Sequence, residues 1–282
     1  MSTQHPDNAF APSWQKGELI EGDAEVYEAY FALKELGCHE IMWDSEGKDT
    51  DIRVVRKLLS INSDYFTDKI IGQDVFLTYR IPNPRVEATE RKIVVETLQN
   101  IAVGCDVASA FYKCVVAPIF EVILPLTTDG KELLYLFNYY RKAIVGAEDI
   151  ELYDSVKVKD WVGSVKPNSI EIIPLIEDMG SLLKADRIVE PYIDVIKPKY
   201  VRVFLARSDP ALNYGLVCAT ILSKMALSKL KVLEKNKGLS IYPIIGVGSL
   251  PFRGHLSPDN LELFLNEYKG VYTATIQVGS KV

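Results

Sequence analysis

Cysteine is scarce and scattered in this sequence. Cys38, Cys105, Cys114 and Cys218 form no CxxC pair, and with only three histidines they offer no zinc-like spacing. Neither a disulfide framework nor a structural metal knot is therefore readable, and a reducing cytosol suits the chain best. A basic surplus is also missing: 32 Lys and Arg stand against 38 Asp and Glu, a net charge of −6. General nucleic-acid binding is disfavoured on that balance, although single arginines can still hold small anions. The opening MSTQHPDNAF shows no basic stretch followed by an apolar one, and apolar runs such as VVAPIFEVILPL are broken by a charge and prolines. The expectation is a cytoplasmic protein that engages neither membrane nor nucleic acid. Nucleophile and nucleotide motifs are absent too. No GxSxG, no Ser/His/Asp spacing and no Walker sequence occurs, and the GVG of IIGVGSLPFRG falls short of a dinucleotide fingerprint.

What the sequence does have is alternation. Short β-branched runs at 40–43, 74–79, 119–124, 169–175, 200–205, 240–246 and 271–278 read as strands. Helical patterns lie between them at 24–36, 49–64, 87–113, 130–143, 179–196, 215–236 and 257–267, the last opened by Ser257-Pro258-Asp259. Runs such as IEIIPLI and YVRVFLA are apolar on successive residues, as strands buried on both faces are. About seven βα units without a composition break predict one domain over 1–282, an α/β TIM-type (β/α)8 barrel incomplete at its C-terminus.

In such a barrel the chemistry sits where strands end. Acids and arginines alternate there: Asp44, Glu46 and Lys48; Arg80; Thr127 and Thr128; Glu177 and Asp178; Arg207 and Asp209; Arg253 and His255. Two acids from different strands, Glu177 and Asp209, suit Mg2+ or Mn2+ with water and substrate oxygens completing the shell. On spacing alone Asp178 is equally eligible, and a loop acid is as readily a helix N-cap. Arg80 in FLTYRIPNP and Arg253 in PFRGH are framed by Pro or Gly, which fixes a loop's path. A guanidinium so placed recognises phosphate or carboxylate by shape, but pairing with a neighbouring acid is as plain a reading, and Arg207 shares the ambiguity. His5, before Pro6, lies where a frayed terminus is the simple expectation. His39 precedes a strand and reads as packing or capping.

Six blocks in order, STQHPDN, MWDSEGKDTD, FLTYRIPNP, PLIEDMGSLLKA, ARSDPALNYG and PFRGHLSPDN, closely resemble the archaeal-type phosphoenolpyruvate carboxylases, and the resemblance spans nearly the whole chain. It implies a barrel enzyme, commonly a homotetramer, that joins phosphoenolpyruvate and bicarbonate to give oxaloacetate and phosphate with Mg2+ or Mn2+. Thr3, Gln4, His5 and Pro6 are similar to the T-x-H-P segment of the larger bacterial and plant carboxylases, whose histidine is at the active site. By the same resemblance Arg80 matches an active-site arginine, Glu177 in PLIE and Asp209 in RSDP match the metal acids, and Arg253 matches the first arginine of a glycine-rich loop.

Two departures stand out. Leu212 occupies the place of a lysine three residues beyond the metal aspartate, and no second loop arginine follows Arg253. Phosphate recognition is therefore expected to draw on Arg207 as well. The alternatives are another Mg-dependent barrel lyase or aldolase handling an enolate, and an inactive truncated remnant. Family members run to about twice this length, so the chain is expected to be an incomplete carboxylase with little activity alone. Segment 271–278 is expected to be an unpaired edge strand.

Overall fold

The strands of the computed structural model begin at the chain's second residue; residues 1–4, 11–15, 20–46, 50–248 and 250–278 are described. They are β1 (Ser2–Thr3), β2 (Glu40–Asp44), β3 (Phe76–Arg80), β4 (Glu121–Leu124), β5 (Glu171–Ile176), β6 (Tyr200–Ala206) and β7 (Ser240–Gly246). The last, β8, consists of Thr273–Ala274 and Ile276–Gln277 on either side of Thr275. Every neighbour is parallel and follows in chain order, as a βα repeat requires. Thr273 and Ala274 pair with Ile244 and Ile245 of β7, while Ile276 and Gln277 pair with Ser2 and Thr3 of β1.

The edge expected at 271–278 is thus paired on both sides. Its partner is the polar dipeptide Ser2–Thr3, too short to read as a strand, and Ile276 also donates its N–H to Met1 O at 2.9 Å. Seven crossovers join the eight strands, and among the described residues no helix follows β8. That is the (β/α)8 barrel expected, lacking its eighth helix in the described chain.

The crossovers are built from α1 (Asp23–Lys34), α2 (Val54–Ile61), α3 (Ser63–Asp68), α4 (Arg91–Tyr112), α5 (Gly130–Tyr139), α6 (Val158–Val162), α7 (Met179–Leu182), α8 (Ala185–Ile196), α9 (Ser208–Tyr214), α10 (Leu216–Lys237) and α11 (Leu261–Glu267). Two helices expected as single pieces are broken, at Asn62 and around Leu183–Lys184, and α9 was not anticipated. A small antiparallel hairpin, Glu151–Tyr153 with Val156–Lys157, also went unread because it is exposed and carries no buried face. By length and composition α4 could cross a membrane. Here it is the crossover from β3 to β4, with Val94, Leu98, Ile101, Cys105 and Ala108 buried.

Between strands and helices lies the larger apolar core, including Trp43, Phe66, Leu98, Tyr140 and Tyr192. Inside the barrel the side chains fall into layers, because successive strand residues face opposite ways. Met42, Ile123, Ile173, Leu175, Phe204, Ala206 and Ile244 fill the middle. One step earlier along the strands the inward positions are Glu40, Thr78, Glu121 and Arg202, and one step later they reach Asp44, Arg80 and Glu177. Both ends of the barrel are therefore charged, with an apolar plug between.

Candidate active site

A cavity of about 310 Å3 opens above that plug, at the C-terminal ends of the strands, lined by Glu46, Arg80, Glu177, Arg207, Asp209 and Arg253 among others. Met42, Leu175, Phe204 and Ala206 form its apolar floor, and Thr3, Thr275 and Gln277 bring β1 and β8 to its wall. All five strand-end residues singled out as metal or anion ligands, Arg80, Glu177, Arg207, Asp209 and Arg253, therefore face one space. His5 and Lys48 lie outside the described residues.

Glu177 follows β5 and is half-buried. Its Oε2 accepts the Leu126 N–H at 2.7 Å. Leu126 holds a φ of +52°, a left-handed conformation that leucine avoids, so the β4 loop carries strain while it aims that N–H at the carboxylate. Burial raises the Glu177 carboxyl to about 7, and the charges of Asp209 and Glu87 add to the rise against the lowering by the Leu126 bond and Arg80. Asp209 lies in the first turn of α9, exposed toward the cavity. Asp178, the competing acid, is a helix cap: it accepts the Ser181 N–H at 3.0 Å and does not line the cavity. Thr127 and Thr128 are likewise structural, bonded to Leu124 O at 2.7 Å and Glu132 Oε1 at 3.1 Å.

Arg80 ends β3 with its guanidinium gripped by two acids. Nε and Nη2 reach Asp44 Oδ1 and Oδ2 at 2.8 and 2.7 Å, and Nη2 lies 2.9 Å from Glu46 Oε2. Asp44 is itself fixed: its N–H donates to Gln4 Oε1 at 2.8 Å, and its Oδ1 accepts the Glu46 N–H at 3.0 Å. Desolvation raises the Glu46 carboxyl to about 8, with the neighbouring Asp44 and Glu177 charges outweighing part of the help from Arg80. In the sequence Glu46 stands only as one of two acids, with Asp44, around the end of β2. What marks it is contact with Arg80 across strands, which no local spacing carries.

Arg207 departs from the expectation of a fork turned to substrate phosphate. It is buried, and its Nε donates to Tyr268 OH at 2.8 Å, Nη1 to Phe252 O at 2.7 Å and Nη2 to Thr220 Oγ1 at 3.0 Å. The side chain ties α10, α11 and the 250–255 loop together. Since these partners are neutral, the buried cation still makes the cavity wall positive. Arg253 sits in that loop, its carbonyl accepting the Gly248 N–H at 2.8 Å and its guanidinium 5.6 Å from the Phe252 ring centre. Gly254 has a φ of +101°, and a Cβ there would lie 2.6 Å from Val247 Cγ1, so the loop carrying Arg253 requires glycine. His255 is exposed and does not line the cavity, and His39 lies at the opposite end of the barrel.

Among the described residues no three His, Cys, Asp or Glu side chains group to hold an ion unaided. Glu177 and Asp209 fit a divalent ion as a carboxylate pair: Glu177 has one oxygen fixed by Leu126 N–H and a second left to ligate, beside the exposed Asp209. The remaining positions would fall to water and substrate oxygens, as is common for Mg2+.

Fold and site define a parallel β/α barrel with a mixed acid and arginine pocket at its strand ends. The chain aligns with the model of the phosphoenolpyruvate carboxylase family over residues 1–281, and it belongs to that family. It is 55% identical over 281 residues to the phosphoenolpyruvate carboxylase of Metallosphaera sedula, which covers 100% of this chain and 55% of the relative. To that of Caldivirga maquilingensis it is 52% identical, with 98% and 54% covered. The chain thus spans about half the length of these relatives. An HpcH/HpaI aldolase from Desulfitobacterium hafniense shares the fold at a TM-score of 0.50 and 14% identity, covering 89% of this chain and 80% of that one.

Proposed function

We propose that this chain forms the phosphoenolpyruvate-handling barrel of a carboxylase that joins phosphoenolpyruvate and bicarbonate to give oxaloacetate and phosphate. The convergence of Glu177, Asp209, Arg80 and Arg253 on one cavity carries the reading. In the reaction the phosphorus leaves the enol oxygen for a bicarbonate oxygen, giving carboxyphosphate and the enolate of pyruvate. Carboxyphosphate then breaks to CO2 and phosphate, and the enolate carbon attacks CO2.

Each step concentrates negative charge in one small volume, so the residues' work is electrostatic. Arg80 and Arg253 hold the phosphate and carboxylate of the substrate, and the buried Arg207 cation supports them from behind. Glu177 and Asp209 would hold a Mg2+ or Mn2+ ion, which when bound supplies positive charge near the enolate oxygen. The floor of Met42, Leu175, Phe204 and Ala206 keeps water from the enolate, whose protonation would give pyruvate instead. His5 is assigned the proton movement or the stabilisation of carboxyphosphate.

The test is phosphate release by the purified 282-residue protein with phosphoenolpyruvate, bicarbonate and Mn2+, beside calorimetric binding of phosphoenolpyruvate with Mn2+. Binding lost in the Glu177→Gln, Asp209→Asn double variant is the expected result. Little turnover is expected of the chain alone, and a rate above about 1 per second would show that it needs no further segment. Bicarbonate-dependent phosphate release separates this reading from a lyase or aldolase, whereas release without bicarbonate would be hydrolysis to pyruvate.

A further inference from the structure

We propose that Glu46 is the pocket's internal competitor for substrate: its carboxylate occupies the place on Arg80 that a phosphate or carboxylate of the incoming anion takes, and the anion binds by displacing it. The inference rests on the reading of Arg80 as an anion-binding fork, and it concerns what that fork holds beforehand.

The two acids on Arg80 are not equivalent. Asp44 takes both oxygens to Nε and Nη2 at 2.8 and 2.7 Å, closes β2 as its last residue, and has a side chain only 6% exposed. The hydrogen bonds from Gln4 and from the Glu46 backbone described above further anchor it. Asp44 therefore sets the direction of the guanidinium and stays. Glu46 lies beyond the strand end, touches Nη2 with one oxygen at 2.9 Å, has a side chain 18% exposed, and lines the cavity.

The charges around Glu46 make this contact costly. Asp44, Glu177 and Glu87 all act against its ionised form, among the described residues Arg80 favours it, and two carboxylates on one guanidinium leave surplus negative charge where an anion must enter. Turning Glu46 toward solvent relieves that repulsion and uncovers Nη2. Displacement also gives selectivity, because a neutral molecule offers nothing in exchange for the lost ion pair. Glu46 is in this sense a positioning residue, acting on substrate through Arg80.

Calorimetry with phosphoenolpyruvate and Mn2+, without bicarbonate, on wild type, Glu46→Gln and Arg80→Ala tests the proposal. Titrated at about pH 8.5, where a carboxyl raised to about 8 is mostly ionised, Glu46→Gln keeps the shape and a weaker hydrogen bond but removes the competing charge, so phosphoenolpyruvate is expected to bind about tenfold more tightly. A role limited to holding Arg80 in place would instead weaken binding, so tightening is the discriminating sign. Unchanged or weaker binding in a Glu46→Gln protein of wild-type melting temperature overturns the proposal while leaving the anion site intact. A Glu46→Gln protein that melts lower is judged by Glu46→Asp, whose shorter arm retains the charge and should bind less tightly than Glu46→Gln. Wild-type affinity in Arg80→Ala would sink the underlying reading of the site, and no binding by any of the proteins would overturn both.

Discussion

Each end of the barrel carries an arginine held by two carboxylates, but the two ends satisfy those acids differently. At the base, Arg202 forks onto Glu40 at 2.7 and 2.8 Å and reaches Glu121 at 2.6 Å. Thr78 donates to Glu40 at 2.6 Å and Tyr200 donates to Glu121 at 2.9 Å. Burial raises Glu121 despite the cation, whereas for Glu40 the Arg202 fork and Thr78 overcome burial and hold its carboxyl down. The mouth repeats the motif with Arg80, Asp44 and Glu46, but among the described residues no hydroxyl donates to Glu46 as at the base, and Glu177 and Asp209 line the same cavity. The same ingredients give a closed ion cluster when the acids' lone pairs are met and unmet acids facing a cavity when they are not.

The comparison breaks most visibly at the base. Arg202→Ala would strand Glu40 and Glu121 as buried acids without their cation, a loss of about 3–5 kcal/mol by analogy with other broken buried pairs. A large fall in the denaturation midpoint is expected, and a fall smaller than that of Arg80→Ala would deny the base its structural role. Arg80→Ala at the mouth should cost less stability, since it also relieves an awkward cluster, but it should weaken phosphoenolpyruvate binding by about tenfold or more. A smaller effect is expected from Arg253→Lys, which keeps charge and loses the bidentate fork. Its affinity for phosphoenolpyruvate should drop severalfold, read by the same titration.

How much of this contrast was legible in the sequence depends on which residues define it. The period of two that places Glu40, Met42 and Asp44 on one inward line was masked by apolar residues on both faces, so the strands were visible while their polar inner ends were not. The mouth acids and arginines stood out because each follows a strand run. Arg202 sits in YVRVFLA, a run whose pattern reads as apolar on both faces, and its partners lie 162 and 81 residues away. Closure of the ring through Ser2–Thr3 was invisible for a related reason: two residues carry no periodicity, and only the pairing with Ile276 and Gln277 makes them a strand. Asp178 and Glu177 are adjacent and chemically alike, and the 3.0 Å bond to Ser181 N–H marks the cap while Glu177 lines the cavity.

A pH series sharpens the contrast further. Glu177 and Glu46 are raised to about 7 and 8, above the ordinary value of 4.5. Acids raised on folding favour the folded state fully below their unfolded value, and that stability is lost as pH rises through the folded value. The mouth should therefore become less stable from about pH 4.5 to 8, and Glu46→Gln should flatten that decline. A Mn2+ ion held by Glu177, as proposed, requires that acid ionised, so its affinity should rise across pH 6 to 8, opposite in sign to the stability. Water-proton relaxation follows the ion directly, and a pH-independent affinity would remove Glu177 from the ligand set.

The smallest effect tests whether the mouth's strain is tied to its chemistry. Leu126 is 36% exposed and sits at φ +52°, while its N–H holds Glu177 Oε2 at 2.7 Å. A left-handed residue other than glycine costs about 1–2 kcal/mol, and replacing a partly exposed leucine forfeits less than full burial would. Leu126→Gly should then raise the melting temperature slightly, by about 2–4 °C for each kcal/mol gained. The freer backbone no longer pins the N–H on Glu177, so Mn2+ affinity should fall by about two- to threefold, a small trade of function for stability. A variant that melts lower than wild type would mean that Leu126 packing outweighs its strain. A variant with undiminished Mn2+ affinity would mean that the bond to Glu177 does not position the acid at all.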